Sequence, residues 1–328
     1  MTDSQGDSVV NDNGVNTTKL SAVASHVATN VQPDLVLFTG DLVYGTSTQA
    51  GLESQLTTWR DTMAPIYNAG IPVYAVRGSH DLGPNDWTAW GRTAWNNVFT
   101  GQYAMPGNGP SGEEGVTYSF TYNNAIFLGM DEYKTSANSD SLALTWLDSQ
   151  LAGNTQPHVF AFSHTQLRRV EHSVSLDNYP AIRDPFVQKL RDAGSRAYFC
   201  GHMHLAQLTK LNDNVKDPTN SSPDDDFYQV IVPPADQKFY SWDGLYNDGN
   251  AIPGMTPYNL LKVQSITGYT VVEVNGFDVT ITFMKQGSGG GFESIGSFSY
   301  TAVPEPVTAG LLAFGGLALL RRRRIRKG

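Results

Sequence analysis

Cysteine is almost absent: Cys200 is the only one in 328 residues. That excludes an intrachain disulfide and leaves the redox compartment unread. Basic residues are scarce too once the extreme C-terminus is set aside. Six of the 22 Lys and Arg are Arg321, Arg322, Arg323, Arg324, Arg326 and Lys327, so residues 1–320 carry 16 basic against 31 acidic groups. A body this acidic repels a phosphate backbone at long range, so nucleic acid is not an expected partner. Solubility alone would explain the acidity equally well. Met1 to Leu20 contains no apolar run of the kind an export signal needs. The glycine-rich stretch Gly287 to Gly291 lacks the basic residue and helix that would make it a phosphate loop. The chain has no internal repeat, and its length suits one large α/β domain or two modest ones.

What is present is a recurring unit of short apolar strand, polar residue at the strand end, and amphipathic helix. Helices are predicted from Leu20 to Val31 (stopped by Pro33), Leu52 to Tyr67, Leu142 to Leu151 and Phe186 to Ala193. The strand Asp34 to Thr39 delivers Gly40-Asp41, and Ile71 to Val76 delivers Gly78-Ser79-His80-Asp81. A further strand is read at Ala125 to Met130. His158 to Ser163 delivers His164, and Ala197 to Cys200 delivers Gly201-His202-Met203-His204. This order places a site at the carboxyl edge of an open α/β sheet. The later segments read as strands: Phe227 to Val232, Tyr269 to Val274 and Val279 to Met284, the last two joined by an Asn275-Gly276 turn. Residues 212–226 read as a polar surface loop.

The strand-end residues have the chemistry of metal ligands. Imidazoles two apart on an extended segment share a face, and one carboxylate such as Asp41 can bridge two cations with its two oxygens. Two metals about 3.5–4 Å apart clamp the attacking and leaving oxygens of an in-line displacement at phosphorus. Other histidines and aromatics carry less. His26 and His158 read as ordinary surface or strand-end residues. His172, Arg168 and Arg169 could meet a substrate phosphate or be solvated loop charges. Trp87, Trp90, Trp95, Tyr240, Trp242 and Tyr246 read first as packing and second as a stacking surface.

In motif order, residues 3–284 resemble the calcineurin-like metallophosphoesterase superfamily, which includes the purple acid phosphatases. The resemblance implies a four-layer α-β-β-α sandwich in residues 1–300, with a first strand missing ahead of Asp3. It also implies hydrolysis of phosphate mono- or diesters of small substrates by a metal-bridging hydroxide. Carried onto this chain, Asp3, Asp41 and His204 hold one metal; Asp41, Ser79, His164 and His202 hold the second. His80 then acts as general acid or charge-stabilising donor, with Asp81 orienting it. Two positions depart from the commonest pattern: Gln5 replaces a histidine and Ser79 replaces an asparagine. Tyr44, three after Asp41, matches the purple acid phosphatase motif in which a phenolate binds ferric iron, and an aromatic packed beside the site is the other reading. The ligand set admits Fe, Mn or Zn. A catalytically degenerate, surface-anchored binding or matrix protein is the rival reading.

At the other end, Val303-Pro304-Glu305-Pro306, the apolar run Val307 to Leu320 and Arg321-Arg322-Arg323-Arg324 resemble the bacterial PEP-CTERM sorting signal. That resemblance implies an exosortase-type processing enzyme as partner, contact of residues 301–328 with the cytoplasmic membrane, and a domain outside it. Fourteen helical residues span about 21 Å, short for a permanent span. Export would need a signal peptide, expected upstream of a misassigned start.

Overall fold

The short apolar runs pair in three sheets in the computed structural model, which describes residues 1–6, 12–82, 89–134, 140–171, 174–213, 226–246 and 250–302. Strands β1 (Val36–Phe38) and β2 (Val73–Ala75) are parallel. A seven-stranded sheet is built from β3 (Tyr118–Tyr122), β4 (Ala125–Gly129), β5 (His158–Phe162), β6 (Ala197–Cys200), β7 (Ala206–Asp213), β8 (Phe227–Ile231) and β9 (Met255–Val263). Its order is β3-β4-β5-β6-β8-β7-β9. The strands β10 (Gly268–Asn275), β11 (Asp278–Gln286) and β12 (Phe292–Thr301) form an antiparallel meander. Gly287 to Gly291 is simply the turn between β11 and β12, closed by the Gly287 N–H donating to the Gly291 carbonyl at 2.7 Å.

Alternation along the central strands sorts the core into two layers. Phe160, Phe162, Phe199, Tyr228 and Val230 face a core shared with β1, β2, the meander and the helices α1 (Thr17–His26), α2 (Gln49–Thr62) and α3 (Ala64–Asn68). Val159, Ala161, Tyr198, Cys200 and Ile231 face the opposite core, under α5 (Leu144–Ala152) and α6 (Pro180–Asp192). A further helix, α4 (Ala89–Val98), packs on α2. The result is the expected α-β-β-α sandwich, in which β5 is buried along its whole length because both of its faces are covered.

Element boundaries depart from the sequence expectation for local reasons. The helix expected to reach Tyr67 breaks at Met63, because Pro65 follows and suits only a first helical turn. Strands β3, β7, β9 and β12 and helix α4 went unread: β3, β9, β12 and α4 expose part of their surface, and β7 interleaves the buried polar Gln207 and Thr209, so in none do apolar residues form a continuous run. Of the polar stretch 212–226, residues 214–225 lie outside the described residues. So does the sorting-signal segment 303–328.

Residues 1–3 hydrogen-bond to β1 and the residues that follow it. They run parallel to β1, with the Met1 amine donating to the Leu37 carbonyl, Thr39 N–H to Met1 and Asp3 N–H to Gly40, at 2.9, 2.9 and 3.0 Å. Behind Met1, a cavity of about 460 Å³ separates the edges of β1 and β10, lined by Leu37, Phe160, Phe199, Val232 and Tyr269 among others. Burial lowers the Met1 amine to about 5, against the pull of Asp3. Among the described residues no helix is long and apolar enough to cross a membrane.

Candidate metal centre

Four strand ends of the two sheets converge. Asp41 follows β1, the turn Ser79–Leu82 follows β2, His164 follows β5, and His202 and His204 follow β6. Asp3 arrives from the N-terminal segment, its carboxylate accepting the His202 N–H at 3.0 Å. Two clusters of ligand atoms result, Asp41 with His164 and His202, and Asp3 with Asp41 and His204, each within 4.8 Å. Asp41 belongs to both, as expected of a bridging carboxylate, and all five residues are buried.

The His-x-His pair achieves this by a route the sequence reading did not foresee. Residues 202–204 are not extended. His202 and His204 have φ of 68° and 47°, so each imidazole turns to a different cluster. Asp3 and Asp41 are also left-handed, at 45° and 52°; the four make up half of the eight described non-glycine residues with positive φ. Such backbone costs of order 1–3 kcal/mol per residue and persists where the surroundings over-determine it. The packing here permits little else: a Cβ on Gly78 would collide with Asp41, and one on Gly201 with Thr2.

Two imidazoles are aimed by backbone carbonyls. His164 Nδ1 lies 2.8 Å from the Thr39 oxygen and His204 Nδ1 lies 2.8 Å from the Lys238 oxygen. A carbonyl only accepts, so both rings carry their proton on Nδ1 and turn Nε2 inward, the usual orientation of a metal-binding imidazole. His164 Nε2 then meets Asp41 Oδ2 at 3.2 Å and His202 Nδ1 at 3.1 Å.

Acceptors this close need a cation among them. Without a metal, burial resists charge on His164, but Asp41 overcomes it and lifts the ring to about 10. Burial likewise works against the Asp41 carboxylate, which His164, His80 and His202 nevertheless hold well below its usual range. Asp3 is raised to about 8, mainly by burial. His204 is lowered to about 3 by burial and by Lys238.

Gln5 fills the position where a histidine was missing. Its Nε2 donates to Asp41 Oδ2 at 2.9 Å and lies 3.3 Å from His204 Nε2, while its buried Oε1 has no partner. Rotating the amide by 180° turns that orphaned oxygen toward the Asp3, Asp41 and His204 cluster. The donor set therefore fits two hard or borderline cations, with Gln5 able to complete the first.

His80 stands at the open side. Its N–H donates to Asp41 Oδ1 at 2.9 Å, and its Nδ1 donates to the Tyr44 carbonyl at 2.7 Å. That carbonyl, not Asp81, orients the ring. Asp81 instead accepts the backbone N–H groups of Leu42, Val43 and Gly78 at 3.2, 3.1 and 2.7 Å and ties the two strand-end loops together. Burial and the Asp41 charge lift Asp81 to about 7 despite those donors. Tyr44 packs its ring 5.5 Å from the His80 ring and is 44% exposed, and Ser79 opens the turn between Gly78 and His80.

One supporting residue escaped sequence reading. Glu132, just beyond β4, accepts from the His164 and Thr165 N–H groups at 3.2 and 3.0 Å and from the Tyr198 hydroxyl at 3.2 Å, fixing the loop that carries His164. It sits just beyond a strand end, the signal that located the candidate ligands.

The lesser expectations divide. His158 stacks on Phe160 and bonds the Gly276 carbonyl; His26 packs on Tyr269 and Phe292. Arg168 is buried beside Asp177 and Arg183, which removes it from both readings offered for it. Trp95 and Trp242 are core residues and Trp90 packs against the core, whereas Tyr240 lies 5.2 Å from the His204 ring. His172 and Trp87 lie outside the described residues.

Comparison with known proteins agrees with this geometry. Residues 9–206 match the family model described as calcineurin-like phosphoesterase. Three solved structures share the fold at low identity. The first is GAP50, the anchor in the inner membrane complex of Plasmodium (TM-score 0.61, 16% identity, 92% of this chain and 87% of that one). The second is the purple acid phosphatase PPD1 of yellow lupin, Lupinus luteus (0.61, 16%, 87% and 49%). The third is a dimetal phosphatase from Danio rerio (0.56, 12%, 92% and 98%). No curated protein matches the chain. The family match covers more than half of the residues, and the chain belongs to the calcineurin-like phosphoesterase family.

Proposed function

We propose that this chain is a metal-dependent hydrolase of small phosphate esters, exported and held at the bacterial cell envelope through residues 301–328. The observation that carries the hydrolase reading is the shared Asp41, which makes one buried carboxylate common to two ligand clusters. Asp3, Asp41 and His204, with Gln5, hold one metal; Asp41, His164 and His202, with Ser79, hold the other. Bound there, the metals supply a water of lowered pKa and neutralise phosphoryl oxygens. The protein's own part is orientation. Thr39 and Lys238 aim the imidazoles, and the Tyr44 carbonyl holds the Nδ1 proton of His80, so that the ring in its doubly protonated form gives its Nε2 proton to the departing oxygen and is left neutral. Envelope location and processing by an exosortase-type enzyme rest on the tail motif alone.

Metal analysis of purified protein, with hydrolysis of an aryl phosphate and a bis-aryl phosphodiester, tests the reading. Two metals per chain with turnover support it, and absence of stoichiometric metal from folded protein overturns it. A charge-transfer colour lost in Tyr44→Phe would assign iron with a phenolate ligand. The second reading, a binding or matrix protein on a decayed scaffold, draws on Gln5, Ser79 and the likeness to a protein described as an anchor. Ser79→Asn separates the two: activity rises if the second metal was weakly held and stays at zero on a decayed scaffold.

A further inference from the structure

The segment after β8 is held on both flanks. Ala235 N–H donates to the Thr2 carbonyl at 2.9 Å, Gly268 N–H to the Pro234 carbonyl at 2.9 Å, and the Thr267 hydroxyl to the Asp236 carbonyl at 2.7 Å. Asn16 Nδ2 and the Gln237 N–H both donate to Asp236 Oδ1 at 2.7 Å. This bracing delivers Lys238 to the centre with its backbone already committed, because its carbonyl holds the His204 imidazole at 2.8 Å. The side chain turns the same way. Its Nζ lies 5.5 Å above the Tyr240 ring, and that ring meets the His204 imidazole edge-on at 5.2 Å.

Lys238 is half-buried, and among the described residues no carboxylate lies within ion-pair distance of its ammonium, unlike Lys134, Lys189, Lys210 and Lys285. A cation seated over Tyr240, with no carboxylate partner among the described residues, beside a centre that faces phosphate is placed to meet a phosphate oxygen. A phosphate monoester carries up to two charges near neutral pH and a diester one, so a third positive centre favours the monoester.

Resting on the hydrolase reading above, the geometry points to Lys238 as a specificity residue whose ammonium contacts a non-bridging oxygen of bound phosphate and selects monoesters over diesters. His80 takes the side of the centre near β2, and Lys238 takes the side near β8.

The test compares wild type, Lys238→Met and Lys238→Arg, each loaded with Mn²⁺. Because the carbonyl that holds His204 is backbone, metal content should not change. In Lys238→Met, KM for an aryl phosphate should rise about tenfold with KM for a bis-aryl phosphodiester nearly constant, and Lys238→Arg should restore most of the loss. Binding of inorganic phosphate, measured by calorimetry, should weaken by a similar factor. Equal losses on both esters, unchanged phosphate binding, or metal lost from both variants would overturn the assignment. Phosphate binding also separates this inference from the one beneath it. A wild type that hydrolyses neither ester but binds phosphate in a Lys238-dependent way would sink the hydrolase and keep the site.

Discussion

His80 and the ligand pair Asp3 and His164 define what single residues do here. His80 touches the centre only through its backbone N–H, so His80→Ala should leave two metals in place and cut turnover about a hundredfold or more, as loss of a proton donor does. Metal analysis beside steady-state rates checks this, and metal loss would make His80 structural. Asp3 and His164 are lifted to about 8 and 10, so the metal-free protein at pH 7 holds a proton on each. Loading should therefore release about two protons, measurable by titration in buffers of different ionisation enthalpy. Both pKa values lie above those of the unfolded chain. Their contribution to metal-free stability is complete at low pH and is lost as pH rises through about 8 and then 10. Chelated protein should accordingly lose Tm across that alkaline window, while metal-loaded protein loses less.

At the scale of elements, the site depends on loops held together rather than on the strands that end at it. Asp81 is the tie: two carboxylate oxygens accept three backbone N–H groups from the loops after β1 and β2. An asparagine amide there must turn an NH₂ toward at least one of those donors. Asp81→Asn is expected to cost about 2 kcal/mol of stability and to weaken metal binding, with His80 still oriented by Tyr44. Urea unfolding of the chelated protein checks the first part. An unchanged midpoint would show the tie to be dispensable. Much at this scale was legible beforehand. The runs ending at Asp41, His80, His164 and His202 form β1, β2, β5 and β6, because a strand buried on both faces must be apolar throughout. Strands β3 and β9, which expose polar positions, and β7, whose polar Gln207 and Thr209 are buried, were not legible.

For the whole molecule, location turns on the arginine-ended tail. If residues 301–328 sort the protein, fusing them behind an exported reporter should carry the reporter to the membrane fraction of an exosortase-bearing bacterium. Replacing Arg321 to Arg324 by alanine should release it. Fractionation that finds the intact fusion in the soluble phase would remove the envelope from the proposed function. The amino acid order by itself determined the ligand types, their sequence and the sheet edge on which they gather, because strand burial and strand-end chemistry are local. Only the tertiary structure decided that His202 and His204 part to separate clusters, that Tyr44 lends a carbonyl while its phenol packs on His80, and that Lys238 stands at the centre. Those outcomes depend on left-handed backbone and on contacts between residues far apart in the chain, and no local pattern encodes either.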